Sequence, residues 1–79
     1  MSNYIDDELL AFGQRLRQLR KYRNLTQVDL EISSGVGNAD ISRIENGQKN
    51  IEIITVIKFA KALKIATKDL FDYTGDLPE

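Results

Sequence analysis

The chain has 79 residues, with 11 basic and 12 acidic side chains and a net charge of −1 at neutral pH. A chain this short holds one small domain, spanning residues 1–79 with a core over 6–73, and buries about 60–65% of its unfolded surface. It contains no cysteine and no histidine, which excludes disulfides, the usual zinc sites and cysteine or histidine catalysis, and fits a reducing, cytoplasmic setting.

No apolar run approaches the roughly 20 residues of a membrane span. The acidic start MSNYIDDELL lacks the basic lead and apolar block of a secretion signal. Residues 1–5 read as a frayed end. Asp6, Asp7 and Glu8 then suit the positive end of a helix dipole, and Leu9, Phe12, Leu16 and Leu19 form an amphipathic stripe. This predicts a first helix from Asp6 or Asp7 to Tyr22 or Arg23, stopped at Asn24. Gly13 inside it costs about 1 kcal/mol against alanine, so close packing is expected there. Arg15, Arg17, Arg20, Lys21 and Arg23 fall in one stretch without an acid, while Asp69, Asp72, Asp76 and Glu79 gather at the far end. Such a polarised layout aims a basic face at phosphates while the total charge stays near zero.

Leu25 staples the entry to a second helix, Gln27 to Ser34, with Thr26 as its N-cap and Asp29 completing a capping box. Gly35 stands where a tight turn needs a positive φ, and Val36 plugs the angle between two crossing helices. A third helix follows, Asn38 to Asn46, with Ile41 and Ile44 facing inward and Gly47 as its stop. Helix, tight turn and helix make the helix-turn-helix plan, in which the second helix enters the DNA major groove. After a polar loop, Gln48 to Asn50, with Asn50 as N-cap, a fourth helix runs from Glu52 to Leu63. Ile53, Ile54, Val56, Ile57, Phe59, Ala60 and Leu63 make it apolar over most of its circumference, which predicts a central core helix. Lys58, Lys61 and Lys64 share one polar edge. Thr67 caps a last short helix with Leu70 and Phe71 facing in, and Gly75 and Pro78 end regular structure. No strand-period segment or internal repeat is present, so the fold class is all-α.

GQRLRQLR (Gly13 to Arg20), LTQVDL (Leu25 to Leu30), SGV (Ser34 to Val36), ISRIENG (Ile41 to Gly47), IKFAKALKI (Ile57 to Ile65) and TKDLF (Thr67 to Phe71) together resemble the lambda-repressor-like helix-turn-helix domain of the Cro/C1 or Xre type. The resemblance covers about residues 12 to 71. It implies a compact five-helix domain that binds operator DNA, usually as a homodimer. The sequence departs from the pattern at Glu31, where a small residue is usual. It departs again at Gly37-Asn38, either of which can cap the third helix, and at Ile51-Glu52.

The outward face of the third helix groups Asn38, Ala39, Ser42 and Arg43 by helical spacing. The resemblance puts base-edge contacts at Asn38, Ala39 and Arg43, and Ser42 shares their face as a further base-contact candidate. The chemistry suits them: arginine forks onto guanine, asparagine onto adenine, and an alanine methyl touches a thymine methyl. The resemblance also implies that Gln27 holds a phosphate with the second helix's N-terminal N–H groups, and that Asn46, Gln48 and Lys49 touch phosphates on the other side. Arg17, Lys21 and Arg23 add long-range attraction, Arg17 being the phosphate candidate among them. Asp40 would repel phosphates unless it accepts from a cytosine amino group or serves the helix N-terminus, the latter being the role favoured here. Arg20 and Glu45 are implied as a structural ion pair. Val28 and Ile32 form an outer apolar pair, while Tyr73, Leu77 and the faces of the last two helices are candidates for a two-fold seam.

These features predict a sequence-specific transcriptional regulator, a repressor acting as a homodimer on double-stranded DNA. Such stand-alone domains serve as prophage repressors, restriction-modification controllers or antitoxins, the last with a toxin as partner protein. The alternative is an antitoxin-like or other protein-interaction module with weak or no DNA binding, which the acid excess, Asp40 and Glu31 favour. No nucleophile-base pairing, metal cluster or phosphate-cradling glycine loop points to an enzyme, a cofactor or a metal.

Overall fold

The computed structural model describes residues 3–79. Met1 and Ser2, part of the expected frayed end, lie outside the described residues. Helix α1 spans Tyr4–Tyr22, so it starts before the expected Asp6. The reason is a reciprocal cap. Asn3 Oδ1 accepts from the Asp6 N–H at 3.0 Å, and Asp6 Oδ2 accepts from the Asn3 N–H at 3.4 Å, satisfying donors that a helix start leaves orphaned. Phe12, Leu16 and Leu19 are buried along its inner face.

Helix α2 (Gln27–Ser34) opens on the Thr26–Asp29 capping box. Hydrogen bonds from the Thr26 backbone, and between the two side chains, hold the exposed Asp29 carboxyl below the usual carboxylate range. Gly35 ends α2 at φ +79°, a conformation open to glycine at no steric cost. Helix α3 (Asn38–Glu45) follows with Gly37 at its N-cap and Asn46 at its C-cap. Helix α4 covers Ile53–Leu63, and a 3-10 helix covers Thr67–Phe71.

Expectations are corrected at three places in the fold. Among the described residues the domain has four α-helices and a closing 3-10 helix, not five α-helices. The last segment is five residues long and makes i→i+3 bonds, Asp69 N–H to Ala66 O at 3.0 Å and Asp72 N–H to Asp69 O at 3.4 Å, the tighter winding used in short pieces. Ala66, not Thr67, precedes it, and Asp69 supplies the cap by accepting the Ala66 N–H at 3.0 Å. Second, Glu52 and not Asn50 is the N-cap of α4, and its carbonyl accepts from Thr55 and Val56. Third, α4 is central on one face only. Val56, Phe59, Ala60 and Leu63 are buried, while Ile53 and Ile54 are 63% and 58% exposed and Ile57 is also exposed. Leu70 is buried, and Phe71 is half-exposed with its ring 5.3 Å from that of Phe12.

The core joins all five elements: Phe12, Leu16 and Leu19 of α1 meet Leu30, Ile41, Ile44, Val56, Phe59, Leu63 and Leu70. Val36 and Leu25 pack against its rim, as a turn plug and a staple should. Helix α1 lies directly over the end of α3. A Cβ on Gly13 would collide with the Ile44 carbonyl oxygen and come within 2.6 Å of the Glu45 carbonyl oxygen. Glycine there lets two backbones touch.

The same junction carries a buried ion pair. Arg20 Nε donates to Glu45 Oε2 at 2.7 Å and its NH2 group to Glu45 Oε1 at 2.9 Å, a two-pronged fork. Its NH1 group donates to the Leu25 carbonyl at 2.8 Å. Both side chains are almost fully buried, and the hydrogen bonds to Glu45 raise the Arg20 pKa further. Helices α1 and α3 and the approach to α2 are therefore fixed at one point.

Two outcomes follow for urea unfolding monitored by circular dichroism. Gly13→Ala gains about 1 kcal/mol of helix propensity yet lowers stability by a net 1–3 kcal/mol or so, because a backbone contact cannot yield; a rise would contradict the contact. Arg20→Ala strands a buried carboxylate and costs about 3–5 kcal/mol, while the paired change Arg20→Met with Glu45→Leu costs much less. Equal costs would mean that the pair is not sealed from water.

Candidate nucleic-acid interface

Helix α3 is divided lengthwise. Ile41, Ile44 and Glu45 are buried, whereas Asn38, Ala39 and Arg43 are exposed and Ser42 is half-buried on the same side. Arg43 has 59% of its side chain in solvent. Asn38 is the first helical residue and Gly37 the cap, with no side-chain cap bond. The Asn38 amide is thus not used up in capping, and the first N–H groups of α3 find no side-chain acceptor among the described residues.

Gln27, at the first position of α2, is half-buried, and its Nε2 donates to Glu45 Oε1 at 3.2 Å. Its amide is thereby tied to the Arg20–Glu45 fork, at the mouth of an open cleft of about 480 Å³ lined by Lys21, Asn24, Thr26 and Asn38 among others. Asn46 and Gln48 are exposed beyond the other end of α3. Arg17 is exposed on α1.

The basic run of α1 does not form one face, contrary to expectation. Arg15 is buried: its Nε donates to Asp69 O at 2.8 Å, its NH1 group to Gln18 Oε1 at 2.8 Å and its NH2 group to Asp76 O at 2.7 Å. Arg23 donates to Leu63 O at 2.9 Å and to Glu79 O at 2.8 Å, and its guanidinium lies 5.1 Å from the Tyr22 ring centre. With Arg20 committed to Glu45, Arg17 and Lys21 are what remains of that run on the surface. A signal for Arg15 existed. It sits three places after Phe12 and four before Leu19, on the apolar stripe itself, where a charged residue is buried only with partners.

Asp40 lies in the first turn of α3, where a carboxylate meets the positive helix end. It also accepts from Lys49 Nζ at 3.0 Å and stands 3.9 Å from the Arg43 NH1 group. The sequence carries no cue to the Lys49 contact, because the loop that returns Lys49 has no periodicity. Among the described residues no group of histidine, cysteine or carboxylate side chains could hold a metal, and no helix is long and apolar enough to cross a membrane.

Comparison with known proteins agrees with this architecture. A family model described as a helix-turn-helix domain matches residues 13–75. The chain is 44% identical over 70 residues to the HTH-type transcriptional repressor RghR of Bacillus subtilis (strain 168), covering 87% of this chain and 52% of that protein. It is 38% identical over 66 residues to the control protein C.BamHI of Bacillus amyloliquefaciens, covering 82% of each. The crystal structure of the restriction-modification controller protein C.AhdI from Aeromonas hydrophila superposes with a TM-score of 0.81 at 38% identity, covering 82% of this chain and 98% of that one. The chain spans about half the length of RghR and of its B. subtilis relative RghRB, but most of the two control proteins. An exposed polar flank on the second helix of the motif, a buried apolar back and these matches lead to one assignment: the chain belongs to the lambda-repressor-like, Xre-type helix-turn-helix family.

Proposed function

We propose that the chain is a sequence-specific DNA-binding transcriptional regulator, acting as a repressor, that binds operator DNA as a homodimer in the cytoplasm. The observation that carries the reading is the lengthwise division of α3, whose apolar residues are spent on the core while Asn38, Ala39, Ser42 and Arg43 face outward. In the major groove these four present an amide fork, a methyl, a hydroxyl and a guanidinium fork, which suit adenine, thymine and guanine edges. Gln27 and the free N–H groups of α2 take one phosphate. Asn46, Gln48 and Arg17 take others, and Lys49 does so once it leaves Asp40. Phosphate contacts set the register and base contacts the sequence. Arg20 and Glu45 touch no DNA; they hold the angle at which α3 is presented.

The homodimer is supported by the outer face of α4. Ile53, Ile54 and Ile57 are exposed there, and Phe71, Tyr73 and Leu77 add apolar surface in the segment that follows. A self-complementary patch suits a two-fold axis, which would set two α3 helices about 34 Å apart along the duplex. The named relatives are a repressor and control proteins, and a toxin partner draws no support from them.

Gel-shift titration against a duplex selected from a random library, beside random duplex, tests the reading. The selected duplex binds tighter, and log K falls linearly with log salt; no binding even at low salt would make the chain an interaction module instead. Arg43→Ala loses about 1–3 kcal/mol on the selected site and relaxes preference at one base pair, whereas equal loss on every duplex would make Arg43 a phosphate contact. Ile54→Glu, in sedimentation velocity, shifts the chain to monomer and weakens operator binding without unfolding it. A dimer that survives this change would place the seam elsewhere.

A further inference from the structure

The acid on the recognition helix has a role that the division of contacts above leaves open. Asp40 faces two cations that belong to different parts of the interface. One is Arg43, a turn further along α3, with its NH1 group 3.9 Å from Asp40 Oδ1. The other is Lys49 in the loop after α3, with Nζ 3.0 Å from the same oxygen. All three side chains are 40–59% exposed, so none is locked by packing. The shorter contact shows where the carboxylate spends its charge in the free chain: on the loop lysine. The longer one leaves Arg43 only loosely restrained.

We infer that Asp40 is a positioning residue that exchanges partners when DNA is read, and so links phosphate contact to base selection. This rests on the DNA-binding reading above. In the free chain and on non-cognate duplex, Asp40 retains Lys49, which removes one cation from those available to phosphates, and its own charge repels the backbone. When α3 seats fully in a matching groove, a phosphate takes Lys49. The released carboxylate then closes on Arg43 and holds the guanidinium fork toward its guanine. Arginine gains most from such preorganisation, because its planar fork must align with two acceptors at once. Asp40 thus costs affinity on any duplex and returns it only where Lys49 and Arg43 are both engaged. An acidic residue in a DNA-facing helix becomes a source of discrimination.

The test measures binding to the selected and to random duplex across a salt series for Asp40→Asn and, separately, Lys49→Gln, using the full chain. Neither change opens a cavity, and a thermal melt of each variant controls for folding. The exchange predicts opposite patterns. Asp40→Asn frees Lys49 everywhere, so binding to random duplex strengthens about threefold or more and its log–log salt slope steepens by about 0.9, the increment for one phosphate. The slope on the selected duplex stays put, and preference at the base pair that Arg43 reads falls several-fold. Lys49→Gln flattens the slope by about 0.9 on the selected duplex alone. Asp40→Glu, which keeps the charge, restores part of the lost preference. Variants that shift both duplexes alike, or neither, overturn the exchange while leaving the regulator reading intact. A parent chain that never prefers the selected duplex overturns both.

Discussion

The Arg20–Glu45 fork is the constraint on which the rest of the structure depends. Each partner alone would be an uncompensated charge in a nearly dry junction, so the two elements that carry them cannot drift apart. The fork lies where α1 crosses the last turn of α3, beside the backbone contact at Gly13. Arg20 also reaches the Leu25 carbonyl, and Gln27 leans on the same carboxylate. One cluster therefore fixes α1, the start of α2 and the end of α3 together. A buried pair of this kind contributes little net stability beside an apolar replacement, but breaking it is costly. Its value lies in geometry. A helix that reads base edges works only at a defined angle and depth, and bidentate bonds tolerate little misplacement.

From that junction outward, the allocation of side chains follows the scarcity of core. A 79-residue chain cannot bury every apolar side chain, and this one spends its core on the helix-turn-helix angle. Leu30 packs α2 against α3 and α4, and Ile41 and Ile44 hold α3 on α1, leaving the polar flank of α3 in water. Along α4 the apolar supply exceeds what the core covers, and three of its isoleucines face solvent. The two exposed faces differ in chemistry, one polar with mixed charges and one aliphatic. That difference separates a surface suited to a duplex from a surface suited to another copy of the chain.

Much of this was legible in the residues. Thr26 with Asp29, Gly35 and the Ile41–Ile44 pair marked the boundaries of α2 and α3 because caps, positive-φ turns and helical stripes are local signals. What was not legible is what depends on how distant segments meet. Helix α1 starts before the expected Asp6 because Asn3 caps it from inside a stretch that lacks any apolar period. The outer isoleucines of α4 look like core in a linear pattern, since hydrophobicity alone cannot tell a buried face from one left in solvent. Arg15 and Arg23 counted as basic surface, yet both are spent on carbonyl oxygens of the C-terminal segment and of α4. Charge in a sequence is an upper bound on charge at a surface. The Asp40–Lys49 contact closes across a loop, and no spacing rule reaches it.

The central claim is that the flank of α3 from Asn38 to Arg43 is what meets DNA. Backbone amide chemical shifts of the 15N-labelled chain, followed while a selected duplex is added, test it most directly. The account predicts that the largest changes fall on Asn38 to Arg43 and on Gln27, with the amides of Ile53 to Ile57 unmoved beyond what dimer formation alone produces. Largest changes on α4, with α3 silent, would contradict it.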